Sequence, residues 1–219
     1  MIHKTIEEDI HDEFQKLKTE LKIHLEADFD IAQKKQFLKN HIPKEIIYKS
    51  ELLLDTLLNY LMVQACKDLE KADIELQNKF FEADFRKRIN DWATQLENRL
   101  EIDPGIVKYS TDPRLKQGLI AGGITFVAGS IVTATVFIPT VVIGAIVSGF
   151  ITILLSAIAF KIAYDKAAPK SRETVKANID KYLENAERQV QTWLKPVIDA
   201  FSKDFKEFCS SNGFRLEGK

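Results

Sequence analysis

The chain has 219 residues, enough for one sizeable domain or two small ones, and its 31 basic and 32 acidic side chains leave a formal net charge of −1. That balance lacks the basic excess of a nucleic-acid binder, so no nucleic-acid partner is expected. Cys66 and Cys209 fit no metal-ligand or CxxC spacing, and two free thiols are favoured over a disulfide joining them.

The N-terminal residues MIHKTIEEDIHDEF lack the apolar run of a signal peptide, so none is expected. Instead they open an amphipathic helix. Ile6, Ile10, Phe14, Leu17, Leu21 and Leu25 step by three or four onto one face, with Asp12, Lys16, Glu20 and Lys22 around the rest. A short segment over 29–37 continues or kinks this helix, and His41-Ile42-Pro43 is expected to break it, because the residue before a proline is pushed out of the helical region. Proline at the first turn suits the helix that follows.

No Pro or Gly occurs over 44–100. Leu54, Leu57, Leu61, Ala65, Leu69, Ala72, Leu76 and Phe80 form one stripe. Phe81, Phe85, Ile89, Trp92, Leu96 and Leu100 form a second, slightly rotated one. Unbroken, this is a rod of about 85 Å at about 1.5 Å per residue, with the change of phase at Phe80-Phe81 marking a bend or a change of packing partner. Asp103-Pro104-Gly105 is a turn. Asp112-Pro113 reads as an N-cap followed by proline at the first helical position.

The run 117–160 contains no Asp, Glu, Lys, Arg or His. A bilayer core is about 30 Å thick and takes about 20 helical residues to cross, so the run is long enough to cross twice. Ile138-Pro139-Thr140 lies near its middle, where a reversal without a polar loop would fall. Lys108, Arg114 and Lys116 precede it, and Lys161, Lys166, Lys170 and Arg172 follow it. Basic residues on both flanks suit two crossings that return to the same side. Small residues recur at close-packing spacing: Gly118 and Gly122, Ala145 and Gly149, and the hydroxyl series Ser148, Thr152, Ser156. The residues expected to enter lipid are Gly118, Gly122, Gly123, Phe126, Gly129, Val136, Phe137, Ile138, Pro139, Val142, Gly144, Gly149, Phe150, Leu154, Leu155 and Phe160. Because Ile, Val and Thr are abundant here, a β-tongue in a soluble form competes with helices, although lone strands cannot cross lipid.

Pro169 and Ser171 open the last helix. Val175, Ile179, Leu183, Ala186, Val190, Trp193, Val197, Phe201, Phe205 and Phe208 keep helical spacing along it. Pro196 should kink it around Thr192, and Asn212-Gly213 is the expected stop.

A helical bundle with a single uncharged hairpin resembles the α-helical pore-forming toxins. The segment VAGSIVTATVFIPTVVIGAIVSGF is similar to the hydrophobic hairpin of pore-forming colicins, with a proline near the turn. Colicins carry that hairpin near the chain end. The order here, long helix, apolar hairpin, long helix, looks more like the cytolysin A type, although the chain is short for it. A further, weaker resemblance is to the stalk-and-paddle region of bacterial dynamin-like proteins, where a charged helix similar to KSRETVKANIDKYLENAERQVQTWL follows the hairpin. Their phosphate-binding GxxxxGKS/T loop is absent from this sequence.

Other signals have plainer readings. His3 with Glu7, Glu7 with His11, and Glu20 with His24 are spaced i, i+4 and are expected to be surface pairs rather than metal ligands. No nucleophile elbow or glycine-rich phosphate loop appears, so neither an enzyme nor a cofactor is expected. Trp92, Trp193, Phe80, Phe81 and the aromatics over 201–208 read as core, while Tyr109 and Tyr164 flank the hairpin where aromatics favour a lipid interface.

These readings combine into an all-α protein: an elongated antiparallel helical bundle formed by residues 1–112 and 168–219, with an inserted hydrophobic hairpin over 113–167. The expected function is insertion into and permeabilisation of lipid bilayers, by a protein soluble or peripheral beforehand. The expected partners are the bilayer and other copies of the chain, with further subunits possible in the assembly. Two alternatives stand beside it: a membrane-anchored scaffold or remodelling stalk without pore activity, and a soluble adaptor that keeps the hairpin buried.

Overall fold

The computed structural model of the protein describes residues 2–26, 31–82, 140–166 and 172–216. These form five helices and no strand: α1 (Ile2–Glu26), α2 (Ile31–Asp68), α3 (Ile74–Phe81), α4 (Thr140–Lys166) and α5 (Arg172–Ser211). The chain is an all-α bundle. α4 lies along α5 and α2, and α1 fills the groove between α2 and α5. Contacts between named residues give the directions. Tyr60 Oη donates to Asp9 (2.9 Å) and Lys49 pairs with Glu13 (2.6 Å), so α1 and α2 run antiparallel. Lys195 pairs with Glu7 (2.8 Å) and Lys18 with Glu184 (3.6 Å), so α1 and α5 do as well.

The stripes read along the chain become the core. Ile6, Ile10, Phe14, Leu17 and Leu21 of α1 are at most 1% exposed. Leu54, Leu57, Leu61, Ala65, Leu69, Leu76 and Phe80 are buried, as are Ile179, Leu183, Ala186, Val190, Trp193, Val197, Phe201, Phe205 and Phe208 of α5. Both cysteines are free thiols. Burial, with Asp68 nearby, pushes the Cys209 thiol up to about 11.

Two expected boundaries are corrected. α2 does not break at His41-Ile42-Pro43 but runs through Pro43. A proline inside a helix removes one ladder hydrogen bond at a cost of about 3 kcal/mol. Here Leu38, Ile42, Ile46 and Ile47, each at most 1% exposed, hold both sides of Pro43 against the core, and that burial outweighs the loss. The uninterrupted rod is also corrected, because the helix ends at Asp68 and restarts at Ile74 without any Pro or Gly. Asp73 drives the restart as N-cap, its carboxylate accepting the Leu76 N–H at 2.7 Å. Gln77 Nε2 then donates to the carbonyl of Ala72 (3.0 Å) and to that of Leu69 (3.2 Å), which also accepts the Ala72 N–H (2.9 Å), so the side chain ties the new helix to the turn. The stripe survives this offset, which is why Leu76 and Phe80 still face the core. Phe80 is fully buried as expected, but Phe81 is corrected from a core residue to an exposed one, at 56%, because it lies about a third of a turn round the helix from Phe80. The second stripe, Phe85 to Leu100, lies outside the described residues.

α5 runs through Pro196 and ends where expected. Gly213 has φ +73°, a conformation that only glycine adopts freely. Phe214 N–H bonds to Cys209 C=O (2.9 Å) and Gly213 N–H to Ser210 C=O (3.1 Å), a Schellman closure.

Candidate membrane-inserting helix

Thr140–Lys166 is helical, so the strand alternative does not hold for this half of the uncharged run. Within it, the 21 residues Val141–Lys161 are long and apolar enough to cross a bilayer by length and composition. The core helix of a soluble bundle meets the same criterion, and 56% of the most apolar window is buried here. The informative feature is therefore the face that α4 turns outward. Val142, Ile146, Phe150, Ile153, Leu154 and Ala157 point inward and are at most 2% exposed. Among the residues whose exposure is described, Val141, Ser148, Thr152, Ala159 and Ala163 are exposed, and none carries charge. Thr152 returns its hydroxyl to the Ser148 carbonyl at 2.9 Å, so even this side chain is satisfied within its own helix. The exposed faces of α1 and α5 are instead crowded with Lys, Glu and Asp.

Three contacts hold α4 against α5. At its start, the N–H groups of Val141 and Val142 both donate to Oδ2 of Asp204, each at 2.9 Å. First-turn N–H groups have no partner inside their helix, so Asp204 acts as a cap supplied from another helix. Asp204 is only 6% exposed. Burial raises its carboxyl above the usual range, the two backbone bonds and Lys203 oppose that rise, and Glu207 adds to it. In the middle, Trp193 Nε1–H donates to the Ala145 carbonyl at 3.3 Å, and the indole fills the space a side chain at Gly149 would occupy. The small pair Ala145 and Gly149, expected to bring helices together in lipid, here receives an indole. At the far end, Phe160 stacks on Tyr182, with centroids 3.9 Å apart and planes 15° apart. Burial there pushes the Tyr182 hydroxyl well above its ordinary pKa.

The expected membrane-entering residues divide accordingly. Val142, Phe150 and Leu154 are buried, while Gly144, Gly149, Leu155 and Phe160 are half-buried. Gly118, Gly122, Gly123, Phe126, Gly129, Val136, Phe137, Ile138 and Pro139 lie outside the described residues, as do Lys108, Arg114, Lys116, Lys170, Tyr109 and Trp92. Among the flanking cations, Lys161 is half-buried on α4, while Lys166 and Arg172 mark the end of α4 and the start of α5. Tyr164 is corrected from a lipid-interface residue to a core one: it is 7% exposed, its ring 5.2 Å from that of Phe160.

The histidine and glutamate pairs are also redirected. His3 meets Asp199 (3.9 Å), Glu7 meets Lys195 and His11 meets Glu187 (3.0 Å), all across to α5 rather than along α1. Among the described residues, no group of three or more His, Cys, Asp or Glu is placed to hold a metal ion. Asp204 was not among the expected site residues. Its signal was its position: an acid between Phe201 and Phe208, on the stripe side of the helix.

Compared with known proteins, the chain matches no family model, no curated protein and no solved structure.

Proposed function

We propose that this chain is a membrane-inserting helical protein that permeabilises lipid bilayers through the hydrophobic hairpin over 113–167, which is uncharged over 117–160. The observation that carries the reading is the charge-free outward face of α4 over 141–160, on a helix of membrane-spanning length whose neighbours display charge to water. A helix apolar all round suits a deep core or lipid, and α4 packs chiefly on α5 and α2 while Val141, Ser148, Thr152, Ala159 and Ala163 stay exposed. Leaving the bundle exposes its inner face. Entering lipid restores burial of that face at about 25 cal/mol per Å² and adds the outer face as well. One hairpin cannot surround water, so permeabilisation calls for several copies, with Ser148, Thr152 and Ser156 as the hydroxyls that α4 offers a lumen.

The test is dye release from liposomes with flotation of the same samples. Release together with flotation supports the reading. Flotation without release would replace it with the anchored scaffold. A second reading rests on the burial of α4's inner face: a soluble bundle in which α4 is a permanent core helix. That reading requires neither flotation nor release.

A further inference from the structure

We propose that the bundle end bearing Ile74, Phe81 and Val141 is the surface that first docks on a lipid bilayer. This rests on the membrane-inserting reading and adds to it the orientation of the molecule. Two elements converge on one turn of α5. The ring of Phe80 in α3 lies 5.4 Å from that of Phe205 and 5.9 Å from that of Phe208. The first N–H groups of α4 bond to Asp204 on the same turn. α3 buries Leu76 and Phe80 against this site, yet leaves Ile74 75% and Phe81 56% exposed. Val141 at the start of α4 is 41% exposed. Singly exposed apolar side chains are ordinary on a surface, but these three stand on two elements that meet at the same turn of α5.

The occupant follows from the sequence that is joined to the bundle here. Residues 117–139 carry no charge and join α4 at Thr140, beside the Asp204 cap. An apolar surface at that junction meets the bilayer on the side from which the uncharged sequence must enter. The exposed charges around it are mixed: Lys79 is paired with Glu75 at 2.7 Å, and Lys203 and Lys206 stand beside Glu207. Docking therefore depends on apolar contact more than on anionic headgroups, and it persists in salt.

The test uses the full chain with vesicles of phosphatidylcholine containing a minor fraction of phosphatidylglycerol. The double variant Ile74→Glu/Phe81→Glu is compared with a control pair on mid-bundle α2, Tyr48→Glu/Leu52→Glu, whose sites are also exposed. The expected result is about tenfold or greater loss of vesicle binding in the first variant and little change in the control. Binding and dye release by the first variant at the wild-type level would overturn the docking end while leaving membrane insertion standing. Absence of wild-type flotation would overturn both. Hydrogen exchange on the wild-type chain avoids any doubt about folding of the variants. Added vesicles should slow exchange first in α3 and the first turn of α4. Protection appearing first in mid-α2 would overturn the proposal, as would concentration-dependent self-association through this end without lipid.

Discussion

Trp193 packs against the backbone of α4 at the one place where Gly149 provides no side chain. A Cβ there would overlap the indole, and the Nε1–H bond to Ala145 C=O fixes the ring one turn away. Gly149→Ala should therefore lower stability by about 1–3 kcal/mol, the usual cost of overpacking a core, despite alanine's better helix propensity. Gly144 supplies the control, since an added Cβ there meets nothing within 4 Å. Gly144→Ala should be neutral or stabilising by up to about 1 kcal/mol. Urea unfolding of the two variants checks the pair. Equal midpoints would remove Trp193 from the role of docking residue.

Asp204 gives a pH-dependent prediction whose sign runs against common experience with capping acids. A helix N-terminus favours an anion, but burial dominates here and the folded-state carboxyl is raised above its ordinary value of 3.8. A raised carboxyl contributes stability that is fully present below the unfolded value and is lost as pH rises through the folded one. Both α4 N–H groups donate to Oδ2, so a proton on Oδ1 leaves both bonds intact. Asp204→Asn should thus be at least as stable as wild type at pH 7, with the gap closing in acid. Asp204→Ala strands two N–H groups and should cost about 1–2 kcal/mol in acid, with a smaller deficit relative to wild type at pH 7. If the Asn variant loses as much as the Ala variant at pH 7, the ionised carboxylate is the favourable form and burial is not the dominant effect.

Glu13 behaves in the opposite sense. Its carboxylate takes Lys16 and Lys49 at 2.6 Å each, binding α1 to α2, and the hydrogen bonds to these two ammonium groups hold its pKa below the ordinary 4.5. A lowered carboxyl contributes stability present above the unfolded value and lost as pH falls through the folded one. Glu13→Gln should cost up to about 1 kcal/mol at pH 7, since Lys16 is largely exposed, and nothing in strong acid. Thermal melts at pH 7 and pH 3 test this: a Gln variant with the same deficit at both values would mean the charge plays no part.

How much was legible follows from which interactions are local. The α1 and α5 stripes needed only periodicity, because a face with apolar residues every three or four positions has one way to be buried. Gly213 needed only its position after the last periodic residue. Pro43 misled because its cost is local while its compensation, the burial of Ile42 and Ile46, is tertiary. Asp73 caps α3 from three residues before Leu76, but a lone acid in a run without Pro or Gly is equally compatible with a continuous helix, and only the turn at 69–72 selects the cap. The partners of Glu7, His11 and Asp204 could not be read at all. Each has a plausible neighbour within four residues, and only the crossing of α5 with α1 and α4 decides where its charge or hydrogen bond goes.

Thr152 sits near the middle of Val141–Lys161 on the exposed face, and its hydroxyl donates to the Ser148 carbonyl of its own helix. Thr152→Lys should therefore leave the bundle folded, because the ammonium projects into water. In lipid the same charge lies near the bilayer centre, where inserting it costs about 2.5–3.5 kcal/mol. Gly144→Asp acts similarly, with open space around the new side chain in the bundle. Both variants should keep wild-type circular dichroism and urea midpoints while losing most dye release from liposomes. The dissociation of the two readouts is what matters, because a general folding defect lowers both. Dye release at the wild-type rate from a folded Thr152→Lys protein would show that α4 does not cross the bilayer, and the permeabilising role would then have to be given up for this helix.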